Sequence, residues 1–158
     1  MEKSPETDAA ASYKLDRQIG FVLRRVTQRH LSIFGTSIPQ MTPTQFAALA
    51  KLYEVGPISQ NALGRLIAMD GATIKGVVDR LVVRGLLATG RDAGDRRRTI
   101  VTLTREGETV YRVLADKAAQ ISAETLCPLD ASEQVVLLAL LHRIEADFYR
   151  TLAGAGID

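Results

Sequence analysis

A mainly helical fold with one small β-hairpin follows from three features of this sequence. Two short amphipathic helical patterns, 59–67 and 72–84, flank a four-residue turn. Directly after them, two alternating segments bracket a Gly/Asp/Arg-rich tip, as two strands of a hairpin would. Long apolar helical periodicities lie at both ends of the chain.

The elements fall in a definite order. Residues 1–11 read as a disordered, polar lead without an apolar stretch. A first helix is predicted from Ser12 to Phe34. Leu15, Ile19, Val22, Val26, His30 and Ile33 form one stripe, and Tyr13, Arg17, Phe21 and Arg24 a second. A loop runs from Gly35 to Met41. Thr42, Pro43 and Gln45 then start a helix with a capping box and a proline in its first turn. Phe46, Leu49, Leu52 and Tyr53 are its inward residues, and Gly56-Pro57 stops it. Ser59 caps a third helix that buries Leu63, Leu66 and Ile67. Asp70 caps a fourth, with Ile74, Val77, Val78, Leu81 and Val82 inward and Gly85 at its end.

Leu86–Thr89 and Thr99–Leu103 alternate as strands around the tip Gly90–Arg98. Thr104 caps a long helix reaching Leu126, and Pro128 breaks it. Asp130 with Glu133 starts the last helix, whose stripe is Leu137, Leu141, Ile144, Phe148 and Leu152. Four helices, a hairpin and two further helices make a winged helix-turn-helix flanked by long helices. The central lobe is nearly complete without the flanking apolar faces, and a second copy of the same elements is the simplest cover for them. The expected organisation is therefore the lead (1–11), a first helix and loop for dimerisation and a pocket (12–41), a DNA-binding domain (42–104) and C-terminal dimerisation helices (105–158).

Composition narrows the function. The chain has 158 residues, 46% of them hydrophobic and 24% charged, enough for a real core. A net charge of +2 does not mark a nucleic-acid binder, so the location of the charge decides. Between Arg91 and Arg105 five arginines (91, 96, 97, 98, 105) face only Asp92 and Asp95, a local +3. The single cysteine, Cys127, rules out an internal disulfide and a multi-cysteine metal site, and fits the reducing cytoplasm. No apolar run approaches the ~20 residues of a membrane span.

A helix with small residues at its leading end, followed by a basic hairpin, suits duplex DNA. The outward residues Ala72, Thr73, Lys75, Gly76, Asp79 and Arg80 fit the major groove. Ala72 and the Thr73 methyl suit thymine methyls, and Lys75 and Arg80 suit guanine edges or phosphates. Ser59, Gln60 and Asn61 suit phosphate contacts. The wing residues Arg91, Asp95, Arg96, Arg97 and Arg98 complete the set. Asp95 is expected to pair with a neighbouring arginine while another projects into a narrow minor groove. The plainer reading of both features is a solvated polar face and a solvated charge run. The direct succession of the two favours DNA.

This arrangement resembles the MarR family of bacterial transcription regulators over most of the chain. The most specific pieces are the wing Arg91-Asp92-Ala93-Gly94-Asp95-Arg96-Arg97 and the continuation Val101-Thr102-Leu103-Thr104-Arg105-Glu106-Gly107. They match the family's Asp-x-Arg and Leu-Thr-x-x-Gly elements. The resemblance implies a homodimer of triangular outline, a pseudo-palindromic operator and release by a small ligand. It also implies that Arg97 is the minor-groove arginine and Asp95 its positioning partner. The run Tyr13–Phe21 is similar to members that control aromatic-acid catabolism, nicotinate degradation among them.

With no tryptophan and 5% aromatics, each ring counts. Tyr13, Arg17 and Phe21, with His30, Phe34, Thr44 and Phe46, are candidates for a pocket that holds a small aromatic carboxylate, with hydroxylated nicotinate as one candidate. The alternative is that Tyr13 and Phe21 pack a dimer interface and His30 is a satisfied interface or core histidine. Rival functions are a winged-helix protein-interaction module, a redox-sensing repressor using Cys127, and a small enzyme. Cys127 has no cationic neighbour in sequence to lower its pKa. No nucleophile motif, phosphate loop or metal spacing supports catalysis, and neither a cofactor nor a metal is expected. Repression and activation are both open at this level.

Overall fold

The computed structural model describes residues 12–154, with side chains through Ala146. The expected lead at 1–11, and the side chains of Phe148 and Leu152 in the last stripe, lie outside the described residues. The chain divides between Ile121 and Ser122 into two compact units.

The first unit holds the winged lobe. A 3-10 turn, Leu15–Arg17, precedes α1, Ile19–Ser37. The expected helix from Ser12 to Phe34 is thus corrected at both ends. Gln18 is extended, with φ −89° and ψ 125°, and its side-chain amide donates to the Lys14 carbonyl at 3.2 Å, so the helix starts only after it. At the far end the helix runs through Gly35, because doing so buries Phe34 and Ile38. The Ile38 N–H donates to the Phe34 carbonyl at 2.8 Å. Tyr13, Arg17 and Phe21 therefore do not form one helical face; of the three, only Phe21 lies on α1.

Helix α2, Pro43–Val55, begins with the expected capping box. The Gln45 N–H donates to Thr42 Oγ1 at 3.2 Å, and the Thr42 N–H donates to Gln45 Oε1 at 3.0 Å. A short strand absent from the sequence reading, β1 (Ile58–Ser59), leads into α3, Gln60–Leu66. A turn then delivers the chain to α4, Gly71–Val83. Ala68 in that turn takes φ 57°, a left-handed conformation that a non-glycine residue rarely adopts. The hairpin strands are β2, Leu87–Arg91, and β3, Thr99–Leu103, so the first strand extends two residues past the expected Thr89. All three strands form one antiparallel sheet in the order β1-β3-β2, with Ile58 opposite Val101 and Thr89 opposite Val101 across the other edge.

The core of this unit gathers Leu49 and Leu52, Leu63, Ile74, Val78 and Leu81, Val101, and Leu114 and Ile121. The last two come from α5, Arg105–Leu126. Two expected core residues are corrected. Leu66, at the end of α3, is 53% exposed, and Tyr53 is 39% exposed although its ring lies 4.6 Å from that of Tyr111. Both sit on the flank of the core stripe, where a helical spacing of three or four admits two adjacent faces.

Three segments meet where the lobe joins α5. Thr104 Oγ1 donates toward the Gly85 and Leu86 carbonyls at 2.7 and 3.0 Å, and accepts the Gly107 N–H at 3.0 Å. A Cβ on Gly107 would lie 2.1 Å from the Leu86 carbonyl oxygen, so this approach admits only glycine.

The second unit contains the end of α5 and α6, Ala131–Gly154. Asp130 and Glu133 cap α6 reciprocally, each carboxylate accepting the other residue's N–H at 2.9 Å. The Gln134 amide donates to the Leu126 and Leu129 carbonyls, closing the end of α5 around Pro128. Val135, Val136, Leu138, Leu140 and Ile144 are exposed on α6. In the first unit Leu15, Ile19, Val22 and Val26 are exposed likewise. Among the described residues no helix is long and apolar enough to cross a membrane.

Candidate nucleic-acid interface

Helix α4 presents its outward face by anchoring its inward one. Ile74, Val77, Val78 and Leu81 are buried, which leaves Ala72, Thr73, Lys75, Asp79 and Arg80 exposed. Asp70 caps the helix, accepting the Thr73 N–H at 2.8 Å and its hydroxyl at 2.9 Å. Those bonds, the backbone one first, hold the Asp70 carboxyl below its ordinary value. The hydroxyl hydrogen of Thr73 is thereby committed, leaving its oxygen as an acceptor and its methyl for apolar contact. Lys75 pairs with Asp79 one turn on. Such an exposed pair is worth only ~0.2–0.5 kcal/mol, so it does not withhold the lysine from a phosphate or a base. The Arg80 guanidinium lies back over Gly76, 3.7 Å from where a Cβ would stand.

Ser59, Gln60 and Asn61 open α3, and they differ. Ser59 is buried; its Oγ accepts the Ala62 N–H at 3.2 Å and its backbone pairs with Ile100 in the sheet. Gln60 is half-buried and Asn61 exposed.

The wing tip is ordered by aspartates acting on backbone. Asp92 Oδ1 accepts the N–H groups of Gly94 at 2.8 Å and Asp95 at 2.9 Å. Those bonds, the Gly94 one first, and the nearby charge of Arg98 hold the Asp92 carboxyl below its ordinary value. Asp95 Oδ1 accepts the Arg97 N–H at 3.0 Å. The Arg98 N–H returns to the Asp95 carbonyl at 2.9 Å, and Arg91 Nη1 donates to the Arg96 carbonyl at 3.3 Å. The expected ion pair between Asp95 and a neighbouring arginine is thus replaced by a backbone bond. A carboxylate two residues before an N–H closes an Asx turn, which is shorter than the reach to a guanidinium. Asp92 was not among the expected site residues. Its signal in the sequence is the Asp-x-Gly-Asp spacing, which suits a turn.

A cleft of about 380 Å³ opens between the start of α3 and the wing. Gln60, Asn61 and Arg65 line one side and Arg97, Arg98 and Thr99 the other, and no acidic side chain lines it. Arg65 is the second residue the sequence reading missed. It lies outside both the helix start and the wing cluster, and only the sheet brings it opposite Arg97.

The aromatic candidates separate into two groups. His30, Phe34 and Phe46 stand in a row with centroid distances of 6.5 and 6.3 Å, and the row continues to Tyr111 at 5.8 Å and Tyr53 at 4.6 Å. Thr44 is half-buried, its hydroxyl 3.1 Å from that of Thr42. Tyr13 and Arg17 are exposed, and Phe21 lies under the Arg25 guanidinium at 5.8 Å. None of the ring contacts in the row involves Tyr13 or Phe21. Cys127 is exposed. Among the described residues no group of three or more His, Cys, Asp or Glu is placed to hold a metal ion.

Comparison with known proteins agrees with this geometry. Residues 40–98 match the family model described as MarR family. The chain is 40% identical to the HTH-type transcriptional repressor NicR of Pseudomonas putida, over 84% of this chain and 85% of that protein. The crystal structure of a probable transcriptional regulator from Pseudomonas aeruginosa is 47% identical, with a TM-score of 0.80 over 83% of this chain and 99% of that one. BpsR of Bordetella bronchiseptica, whose DNA binding is regulated by 6-hydroxynicotinic acid, is 37% identical, with a TM-score of 0.81 over 84% and 96%. With its capped outward helix, its aspartate-ordered arginine wing and relatives that match along most of their length, this chain belongs to the MarR family of winged helix-turn-helix transcription regulators.

Proposed function

We propose that the protein is a homodimeric repressor that binds a pseudo-palindromic operator and is released by a small aromatic carboxylate. The observation that carries the DNA contact is the wing. Two aspartates fix its backbone, and the Arg97 guanidinium has no carboxylate partner among the described residues. Helix α4 enters a major groove and the wing reaches the adjacent minor groove. Two lobes set about 34 Å apart read two half-sites. The exposed apolar residues of α1 and α6 support the second copy. The site of action is the cytoplasm, where the DNA is.

The effector reading rests on the row His30–Phe34–Phe46 and on the relatives. Aromatic walls with a cationic or hydrogen-bonding group suit a planar acid, and the regulation of BpsR by 6-hydroxynicotinic acid supports that class. A ligand shifts the protein between spacings only by its difference in affinity for them. A gel-shift titration on duplexes selected by the protein from a random pool tests both parts. Salt-dependent, sequence-selective binding that 6-hydroxynicotinate weakens is the expected result. Absence of selective binding overturns the repressor reading.

A further inference from the structure

We infer that the cleft between α3 and the wing seats a phosphodiester of the duplex backbone, with Arg65 as its anchor. This rests on the DNA-binding reading and deepens it. Whenever a helix lies in a major groove and a wing in the neighbouring minor groove, one strand of phosphates runs between them. The cleft borders the wing on one side and, on the other, α3, the helix that packs on the recognition helix α4. Arg65 faces Arg97 and Arg98 across about 380 Å³, and Gln60 and Asn61 add neutral donors. No carboxylate lines the cleft, so nothing within it neutralises the three cations. Among the described residues the Arg65 guanidinium has no ion pair, whereas Lys75 on the recognition helix does. A phosphodiester offers two non-bridging oxygens that match a guanidinium fork, and its single charge offsets part of the local excess.

The roles of the arginines then divide. Arg97 is the residue for the groove and its shape, and Arg65 for the strand between grooves. A backbone contact positions the protein and carries no sequence information. Removing Arg65 should therefore weaken selected and unselected duplexes alike.

The experiment is a salt titration of wild type, Arg65→Ala, Arg65→Lys and Arg97→Ala. The probes are a duplex selected by the wild-type protein and an unselected duplex of equal length. For Arg65→Ala the slope of log K against log salt should fall by about 0.9, one phosphate's worth. Affinity should drop roughly 5–10-fold for both duplexes, leaving their ratio unchanged, since the lost contact is to a phosphate. Arg65→Lys should restore the slope. A wild-type slope in Arg65→Ala, while Arg97→Ala is impaired, overturns the inference and leaves the repressor reading standing. No DNA binding by the wild type overturns that reading instead. Inorganic phosphate at constant ionic strength separates the sources of the anion. If it shifts the Arg65 Nε–H resonance at low millimolar concentration while Arg65→Ala keeps the wild-type slope on DNA, the cleft is a free-anion site and the assignment to the duplex fails.

Discussion

The Asp95 carboxylate holds Arg97 by its backbone and not by its charge, with Oδ1 3.0 Å from the Arg97 nitrogen. The turn is fixed and the guanidinium is left without a carboxylate partner among the described residues. Arg97→Ala should therefore leave the fold intact and weaken operator binding by roughly 1–3 kcal/mol, the scale of one good contact. Asp95→Asn keeps an acceptor oxygen and should bind nearly as the parent does, whereas Asp95→Ala should lose much of what Arg97→Ala loses. Fluorescence anisotropy on a selected duplex reads all three. Equal binding by Arg97→Ala and parent at physiological salt would remove Arg97 from the interface.

The exposed apolar residues on α6 give the second prediction. Ile144 is 63% exposed in the single chain, on a helix with four other exposed aliphatic residues. Ile144→Asp would place an unpaired carboxylate in the dimer contact, a cost of roughly 3–5 kcal/mol if it is fully buried there. Sedimentation should show a monomer or aggregate where the parent is a dimer, with operator binding lost in parallel. A parent protein that is monomeric at micromolar concentration would end this reading.

The third prediction concerns the joint at Gly107. A Cβ there would stand 2.1 Å from a backbone oxygen, which cannot swing away as a side-chain tip would. Gly107→Ala should cost about 1–3 kcal/mol or more in denaturant unfolding, the range for forced overpacking. Gly71→Ala, with open space around the added carbon, should cost far less.

Local signals carried most of this architecture into the sequence. Thr42 with Gln45, Asp70 with Thr73, and Asp130 with Glu133 announce helix starts because a cap is chemistry between near neighbours. What was illegible depends on contacts between distant residues. β1 is two residues long and exists only because β3 runs beside it. Gly35 reads as a stop, yet burial of Ile38 carries α1 past it. Arg65 joins the wing arginines only through that same sheet, so no spacing in the sequence reveals it. Gln18 shows the converse, since a local side-chain bond to Lys14 overrode an apolar periodicity that looked helical.

Acid sensitivity follows from the aspartate caps. Asp70, Asp92 and Asp130 are all held below the ordinary value of 3.8, chiefly by the N–H groups of Thr73, Gly94 and Glu133 respectively. A depressed folded value favours the ionised form in the folded state. The stability so gained is fully present above 3.8 and is lost as pH falls through the lower folded values. Thermal midpoints should therefore stay level from neutrality down to about pH 5 and decline below pH 4. Replacing all three by Asn should flatten that acid limb. An unchanged limb in the triple variant would place the acid sensitivity elsewhere.

The effector prediction joins the two separated groups of aromatic candidates. His30 stands at the head of the ring row, and Arg17 sits in an exposed turn before α1. On the proposed dimer, the leading end of one α1 would reach the partner's row, and a planar acid would then stack on a ring while Arg17 or His30 takes its carboxylate. A hydroxylated nicotinate or benzoate should bind and lower operator affinity. Arg17→Ala and His30→Ala should each raise the effector concentration for half-release about 10-fold or more, the scale of losing one charge-assisted hydrogen bond, with ligand-free DNA binding nearly unchanged. Calorimetry against a panel of both acid classes, paired with gel shifts, measures binding and release separately. A full response in both variants would make Arg17 and His30 packing residues of the dimer contact, and silence across the panel would remove aromatic acids as the effector class.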